Sequence, residues 1–351
     1  MERTAAVLIL ENGMRFPGYA FGDIHDVVGE VVFATGMTGY QEELTDPSFA
    51  GQIVTMTYPL IGNYGINLED NESEKPALTA FVVREKCDYP NNFRTEMDLD
   101  GYLKQQGVLG LEGIDTRALT RALRDHGVMK GIITTQADKL SETEIQQRLN
   151  SLDNSDVIAR VTAKEAYVID GKGKHVAFLD LGTKTGILRD LKARGCKLSV
   201  FPASATAEEI LAVQPEMLFV SNGPGDPKDV PNVSETIKAL VGKLPIRGIC
   251  MGHQLISLAV GCNTKKLKFG HHGGNHPVKD MKTGRIYITS QNHNFVVCDL
   301  PDDVEATYIN VNDDSVEGIR HKTLDIASVQ FHPEASPGPL DTAQLFDEFL
   351  K

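Results

Sequence analysis

Pro245-Ile246-Arg247-Gly248-Ile249-Cys250-Met251-Gly252-His253-Gln254-Leu255 is the stretch that decides how this chain folds. A short apolar run leads into Cys250, and Leu255, Leu258 and Ala259 follow at the spacing of one helical face. The reading is strand, sharp turn, helix. Gly-x-Cys-x-Gly in that setting is the thiol version of a nucleophile elbow, whose small flanking residues let the turn push the side chain out of the backbone. The helix N-terminus then faces the sulfur and favours thiolate over thiol. Its first backbone N–H groups have no intrahelical partner and could hold an oxyanion. A buried cysteine in a βα turn is the competing reading for a lone Cys. The two glycines and the strand-to-helix context shift the balance to a nucleophile.

Around this stretch, strands and helices alternate. Residues 175–181 read as an apolar strand. Residues 185–194 read as a helix with Ile187, Leu188 and Leu191 inward and Gly195 as its C-terminal cap. A strand at 197–201, a helix at 207–213, a strand at 217–220 and a helix at 233–241 lead back to the elbow. This alternation implies an α/β domain with a doubly wound parallel sheet and ligands at the carboxyl ends of its strands. Cys250 falls at such an end, and so does Ser221-Asn222-Gly223-Pro224-Gly225-Asp226-Pro227.

The first part of the chain is β-rich with later helices, an α+β pattern. Residues 5–10 and 29–35 read as strands, and Asn12-Gly13 as a hairpin signal. Helices are expected at 98–106 and 115–125, and at 141–149, where Ser141-Glu142-Thr143-Glu144 has the capping-box pattern. The charged stretch 164–174, with Gly171 and Gly173, marks the expected boundary between domains at 1–170 and 171–351.

Composition narrows the function. A chain of 351 residues has room for two domains, and 41% hydrophobic with 24% charged content is that of a soluble globular protein. The net charge of −13 argues against a nucleic-acid surface, which needs a basic stripe, and gives no support for binding an anionic membrane. No apolar run approaches the length of a membrane span, and the early apolar stretch is too short for a signal peptide. Five scattered cysteines without a C-x-x-C pair form neither a disulfide framework nor a zinc ribbon. A reducing cytoplasm is the expected location.

A cysteine nucleophile needs a base, and the base needs an orienting group. In Ser328-Val329-Gln330-Phe331-His332-Pro333-Glu334 an apolar strand ends at His332, and Pro333 restricts how it leaves the strand. Glu334 is close enough to bond the second imidazole nitrogen and set the tautomer. A surface loop with a chance His-Pro-Glu is the plain alternative, which the elbow makes the weaker one. The Ser-Asn-Gly-Pro-Gly-Asp-Pro loop lacks the Lys-Ser/Thr ending of a phosphate-binding P-loop. Gly223 and Gly225 instead permit a close backbone approach to a substrate. A purely structural βα turn remains the other reading.

Gly-Ile-Cys-Met-Gly-His-Gln, Ser-Asn-Gly-Pro-Gly-Asp-Pro and His-Pro-Glu, in this order, resemble the class I (triad) glutamine amidotransferases. Residues 32–42, Leu44-Thr45-Asp46-Pro47-Ser48, Gly113-Ile114-Asp115-Thr116-Arg117 and the stretch 268–278 narrow the resemblance to the small subunit of carbamoyl-phosphate synthetase, nearly end to end. The resemblance implies a flavodoxin-like class I glutaminase domain behind a partner-contacting N-terminal domain. It implies that Cys250 attacks the glutamine amide and forms a γ-glutamyl thioester, with His332 as acid and base and Glu334 holding it. It assigns the oxyanion hole to the N–H groups of Gly223 and Met251. Gln254, Asn292, Asn294, Phe295, Gly225 and Ser48 would shape the glutamine pocket. Asn294 stands where the family commonly has Gly, and Met251 replaces a more usual Leu.

His271, His272 and His276 suggest a metal, but adjacent residues of an extended strand point to opposite faces. No acidic or thiol ligand has a persuasive spacing nearby, so no metal is expected. No nucleotide-binding motif is present either. Cofactors are therefore expected to be absent from this chain; the resemblance implies ATP and Mg on a large-subunit partner, in a heterodimer or a higher oligomer of heterodimers that turns ammonia and bicarbonate into carbamoyl phosphate for arginine synthesis, pyrimidine synthesis or both. A sheltered ammonia path follows from the resemblance, because ammonium cannot attack. The alternatives are a glutaminase subunit of another synthase, of the GMP or anthranilate type, and a non-catalytic regulatory scaffold. The β-rich N-terminal region speaks against the first and the intact Cys250, His332 and Glu334 against the second.

Overall fold

The computed structural model describes residues 3–351; Met1 and Glu2, the start of the stretch read for a leader, lie outside the described residues. Two compact units emerge, one ending at Asn154 and the other spanning Ser155–Lys351.

The strands of the first unit are β1 (Thr4–Leu10), β2 (Arg15–Gly22), β3 (Val27–Ala34), β4 (Gln52–Met56), β5 (Leu60–Ile61), β6 (Ala80–Val82), β7 (Glu85–Lys86), β8 (Leu109–Glu112) and β9 (Met129–Thr134). Seven of them close into a barrel in the order β1-β2-β8-β6-β4-β3-β9, while β5 and β7 pair separately. The β1–β2 hairpin turns through Asn12-Gly13, as expected, with register Leu8↔Phe16. Barrel strands bury both faces because successive side chains point opposite ways. Val31, Ile53 and Val82 join one core with Leu8, Leu111 and Ile133, whereas their neighbours Val32, Val54 and Phe81 join another. The second core is covered by α1 (Tyr40–Thr45) and α2 (Leu99–Gln106), which contribute Tyr40, Leu99 and Leu103. Each fully buried Leu adds about 1.5–3 kcal/mol.

Helix starts follow from local chemistry. The Asp98 side chain accepts the Gly101 N–H at α2, and Asp115 accepts the Ala118 N–H at α3 (Thr116–His126). Ser141 and Glu144 close the capping box of α4 (Glu142–Asn150).

The second unit holds β10 (Tyr167–Ile169), β11 (His175–Asp180), β12 (Lys197–Pro202), β13 (Met217–Val220), β14 (Ile246–Ile249), β15 (Asn263–Asp280), β16 (Ile286–Cys298), β17 (Val304–Asn310), β18 (Val316–His321) and β19 (Ile326–Val329). They form one sheet in the order β10-β12-β11-β13-β14-β19-β18-β16-β15-β17. The five strands β12, β11, β13, β14 and β19 pair in parallel, so the α/β doubly wound core is present. Antiparallel strands extend it on both sides. The helices are α5 (Val157–Val161), α6 (Thr185–Ala193), α7 (Ala207–Ala212), α8 (Pro231–Leu240), α9 (Met251–Ala259) and α10 (Leu345–Phe349). Phe219 stacks between Phe178 and Phe346, which seats α10 on the sheet.

The division along the chain falls at Asn154/Ser155, ahead of the 170/171 boundary expected from composition. Ile158 on α5 shares a core with Leu179 and Val220, and β10 pairs with β12. Gly171 is not a loose linker residue: a Cβ there would lie 2.1 Å from the Cys196 carbonyl oxygen. Among the described residues, no helix is long and apolar enough to cross a membrane.

Candidate active site

The turn between β14 and α9 is a single residue, Cys250, at φ 55° and ψ −107°. That backbone conformation is strained for a residue with a Cβ and persists only where its surroundings enforce it. Three hydrogen bonds do so. The Cys250 N–H donates to the Val329 oxygen at 2.9 Å, the Gly252 N–H to the Ser221 oxygen at 2.9 Å, and the Gln254 N–H to the Cys250 oxygen at 3.1 Å. Glycine at 252 is a steric requirement, because a Cβ would sit 2.2 Å from the Val220 oxygen. The first turn of α9 thus packs directly on the end of β13.

His332 lies just beyond β19, where its N–H donates to the Ser290 oxygen at 2.9 Å. Its Nδ1 is 2.6 Å from Glu334 Oε1, so Nδ1–H donates to the carboxylate and the ring's other nitrogen is left for chemistry. Nε2 is buried with no hydrogen-bond partner, yet the Cys250 thiol is near enough to act on the ring's proton affinity. Burial is the largest influence and pushes that affinity down, and Lys184 adds to it; the Glu334 charge and the hydrogen bonds to Cys250 and Glu334 together outweigh both, and the net result is a raised pKa. Burial would raise the Glu334 carboxyl, but the charges of Lys184 and His332 hold it down at about 2. Cys250, His332 and Glu334 are all buried.

Lys184 was not singled out from sequence. Its Nζ lies 3.1 Å from Glu334 Oε1 and 2.5 Å from the Ala335 oxygen, and its side chain is 2% exposed. The signal was available: Leu181-Gly182-Thr183-Lys184 follows β11 at the carboxyl end of a parallel strand, where ligands and catalytic groups gather in such sheets. Asp180 accepts the Gly182 and Thr183 N–H groups, and the Lys184 N–H donates to Asn222 Oδ1, which fixes this turn against the loop after β13.

The expected glutamine-pocket residues divide by position. Gly223 and Gly225 lie in the loop after β13, with Gly225 at φ 90°, and Met251 opens α9. Gln254 donates through Nε2 to the Phe295 oxygen at 2.9 Å and to Gln330 Oε1 at 3.0 Å. The Cys250 thiol donates to the Asn292 backbone oxygen at 3.6 Å, which brings β16 to the sulfur. Asn294 Oδ1 lies 3.0 Å from His272 Nε2. Ser48 belongs to the first unit, in the turn Pro47–Phe49, with its N–H on the Asp46 carboxylate.

The histidines sort differently from the trio expected. His271 and His272 do turn apart: His272 meets Asn292 and Asn294, and His271 meets Asp313 and Glu317. Ligand-capable atoms of His271, His293 and Glu317 lie within 4.8 Å of one another. Burial would lower His271, but its carboxylate partners Asp313 and Glu317 raise it to about 9, so near neutral pH the ring is a cation between two anions. Both His293 nitrogens already have partners, the Phe295 oxygen at 2.8 Å and Gln291 Oε1 at 3.0 Å. This arrangement is a buried ion pair in which His293 is held through both nitrogens, while His271 Nδ1 and Glu317 Oε2 have no hydrogen-bond partner.

A cavity of about 730 Å³ lined by Arg247, Tyr287, Tyr308 and Phe349 contains none of Cys250, His332 and Glu334.

Comparison with known proteins gives the family. The family model described as "Carbamoyl-phosphate synthase small chain, CPSase domain" matches residues 8–133, and "Glutamine amidotransferase class-I" matches residues 177–351. The chain is 57% identical to the "Carbamoyl phosphate synthase small chain" of Clostridium perfringens (strain 13 / Type A), over 99% of each chain. It is 50% identical to the "Carbamoyl phosphate synthase pyrimidine-specific small chain" of Bacillus subtilis (strain 168), over 98% of this chain and 94% of the relative.

Proposed function

The chain belongs to the carbamoyl-phosphate synthase small-chain family and carries a glutamine amidotransferase domain, and from that premise we propose that it hydrolyses L-glutamine through a thioester on Cys250 and delivers the ammonia to a large-subunit partner. The observation that carries the proposal is the buried His332 ring. Glu334 fixes its Nδ1–H at 2.6 Å, and its unpartnered Nε2 is beside the Cys250 thiol.

The reaction follows from that arrangement. Nε2 takes the Cys250 proton, and the sulfur attacks the side-chain carbonyl carbon of glutamine. The negative charge that develops on the carbonyl oxygen is received by the N–H groups of Met251 and Gly223. When the C–N bond breaks, the imidazolium returns its proton to the departing nitrogen, which leaves as ammonia. The same ring then draws a proton from water, whose oxygen displaces the sulfur and releases glutamate. Glu334 keeps the tautomer constant through both halves, and Lys184 keeps Glu334 ionised.

Gln254, Asn292, Asn294, Phe295, Gly225 and Ser48 are assigned to the bound glutamine through the family resemblance. ATP and Mg are assigned to the large subunit, which uses bicarbonate and the delivered ammonia to form carbamoyl phosphate. The chain and that partner form a heterodimer. The test is Cys250→Ser in the complex. Carbamoyl phosphate formation from glutamine is expected to vanish while formation from added ammonia persists. Retained glutamine use would refute the nucleophile assignment.

A further inference from the structure

The β15–β16 pairing is broken where it passes the candidate active site. Regular register runs to Lys266↔Phe295, resumes for His271↔His293, His272↔Asn292 and Gly273↔Gln291, and shifts again before His276↔Thr289. Backbone ladders therefore hold only a short segment of β16 beside Cys250, with an irregularity on each side. Within that segment a side chain supplies a further tie. His272 is 3% exposed, its Nδ1 lies 2.9 Å from Asn292 Oδ1, and its Nε2 lies 3.0 Å from Asn294 Oδ1. A neutral imidazole has one donor and one acceptor, so it serves one amide through its oxygen and the other through its NH2 group.

Room for this bridge is made by Gly270. At φ 73° a Cβ there would come 2.4 Å from Asn294 Oδ1 and 2.5 Å from His272 Nε2. The bridge reaches the chemistry through Asn292, whose backbone oxygen accepts from the Cys250 thiol at 3.6 Å.

We propose that His272 is a positioning residue that clamps Asn292 and Asn294, and so fixes the β16 segment against the Cys250 sulfur and the bound glutamine amide. The proposal rests on reading this site as a glutaminase. His272 touches no reacting atom. It acts through Asn292, which borders the sulfur, and Asn294, which borders the substrate.

The test is steady-state kinetics of the complex with three single variants and one double. His272→Ala is expected to raise KM for glutamine about 3- to 30-fold and to lower kcat, since it frees both amides. Asn294→Gly, which places the residue the family commonly has there, is expected to raise KM about 2- to 10-fold with kcat nearly unchanged. The double variant is expected to raise KM by clearly less than the product of the two single effects, because both changes cut one bridge. His272→Gln, which can still reach one amide, is expected to recover part of the loss. Carbamoyl phosphate formation from ammonia stays at the wild-type rate throughout. Unchanged glutamine kinetics in His272→Ala, or KM effects that multiply in the double variant, overturn the clamp. If His272→Ala does not fold, Asn294→Gly and His272→Gln carry the test, and a wild-type KM in both overturns it. A wild-type complex that turns over no glutamine would instead overturn the glutaminase reading itself.

Discussion

The Lys184 ammonium lies 3.1 Å from Glu334 Oε1 with neither side chain more than 2% exposed, so the residue that orients the catalytic base is itself anchored by a buried cation. The charge chain Lys184–Glu334–His332 passes from the turn after β11 to the segment beyond β19 and ends beside the Cys250 sulfur. Removing one member of a buried pair leaves an uncompensated charge, which costs far more than a surface bridge contributes.

Lys184→Met is therefore expected to destabilise the protein by on the order of 3 kcal/mol, read as a lowered midpoint in urea unfolding. Lys184 lowers the proton affinity of both His332 and Glu334, so its loss raises both. The acid limb of the kcat/KM profile for glutamine should move to higher pH. An unmoved limb would show that the ammonium does not act on the base.

Glu334→Gln keeps an acceptor for Nδ1–H but removes the charge that raises His332. Glutamine turnover is expected to fall by roughly 10²- to 10⁴-fold, the range for losing the third member of such a triad. Acid stability gives a second readout. Glu334 is held at about 2 in the folded protein against an ordinary 4.5, so its contribution is complete above about 4.5 and is lost as pH falls toward 2. The stability gap between wild type and variant should close over that window.

His271 has the opposite sign. Despite burial, Asp313 and Glu317 raise it from 6.5 to about 9, so its stabilisation is complete below about 6.5 and is lost as pH rises through 9. His271→Asn should be less stable than wild type at pH 6 by up to about 3 kcal/mol, with the gap closing toward pH 10. A gap independent of pH, measured by urea unfolding across that range, would rule out a charged His271.

Gly252→Ala places a Cβ 2.2 Å from the Val220 oxygen, a backbone atom that cannot swing away. Overpacking of this kind costs about 1–3 kcal/mol and here tilts α9 away from β13. Labelling of Cys250 by a glutamine-analogue electrophile should slow at least tenfold even at temperatures where the variant stays folded. Wild-type labelling would mean that the elbow has slack.

What the sequence made legible was local. Asp98, Asp115 and Ser141 start their helices by bonds to residues three positions on, and Asn12-Gly13 turns its hairpin. The elbow around Cys250 and the step from His332 to Glu334 are equally short in range, and both are present. Pairings across long stretches of chain were out of reach. Closure of the barrel depends on β1 meeting β9, and the antiparallel flank depends on β15 and β16, whose His, Gly and Asn residues hide the period of two. Lys184 is 150 residues from Glu334, so nothing in its immediate sequence points to the carboxylate. His272 shows the same limit, because its meaning comes only from the strand across from it. The short strand β10 failed for another reason: exposed Tyr167 and Val168 lie among charged residues, which makes a strand look like a linker.

The Cys250 N–H bond to the Val329 oxygen continues the ladder that joins Ile249 to Val329. Nucleophile and base thus leave from the carboxyl ends of neighbouring parallel strands, although the whole of β15 to β18 intervenes in the chain. Their separation is set by the repeat of a parallel sheet and is independent of how long the intervening excursion is. Within the excursion the segment around His272 and Asn292 is tied to the sulfur, so room to lengthen or trim the domain lies at the far end of the β15–β16 hairpin. The turn at Lys282-Thr283-Gly284, between β15 and β16, is an exposed site for such change. A change in length at that turn leaves the rungs that place Cys250 beside β19 untouched.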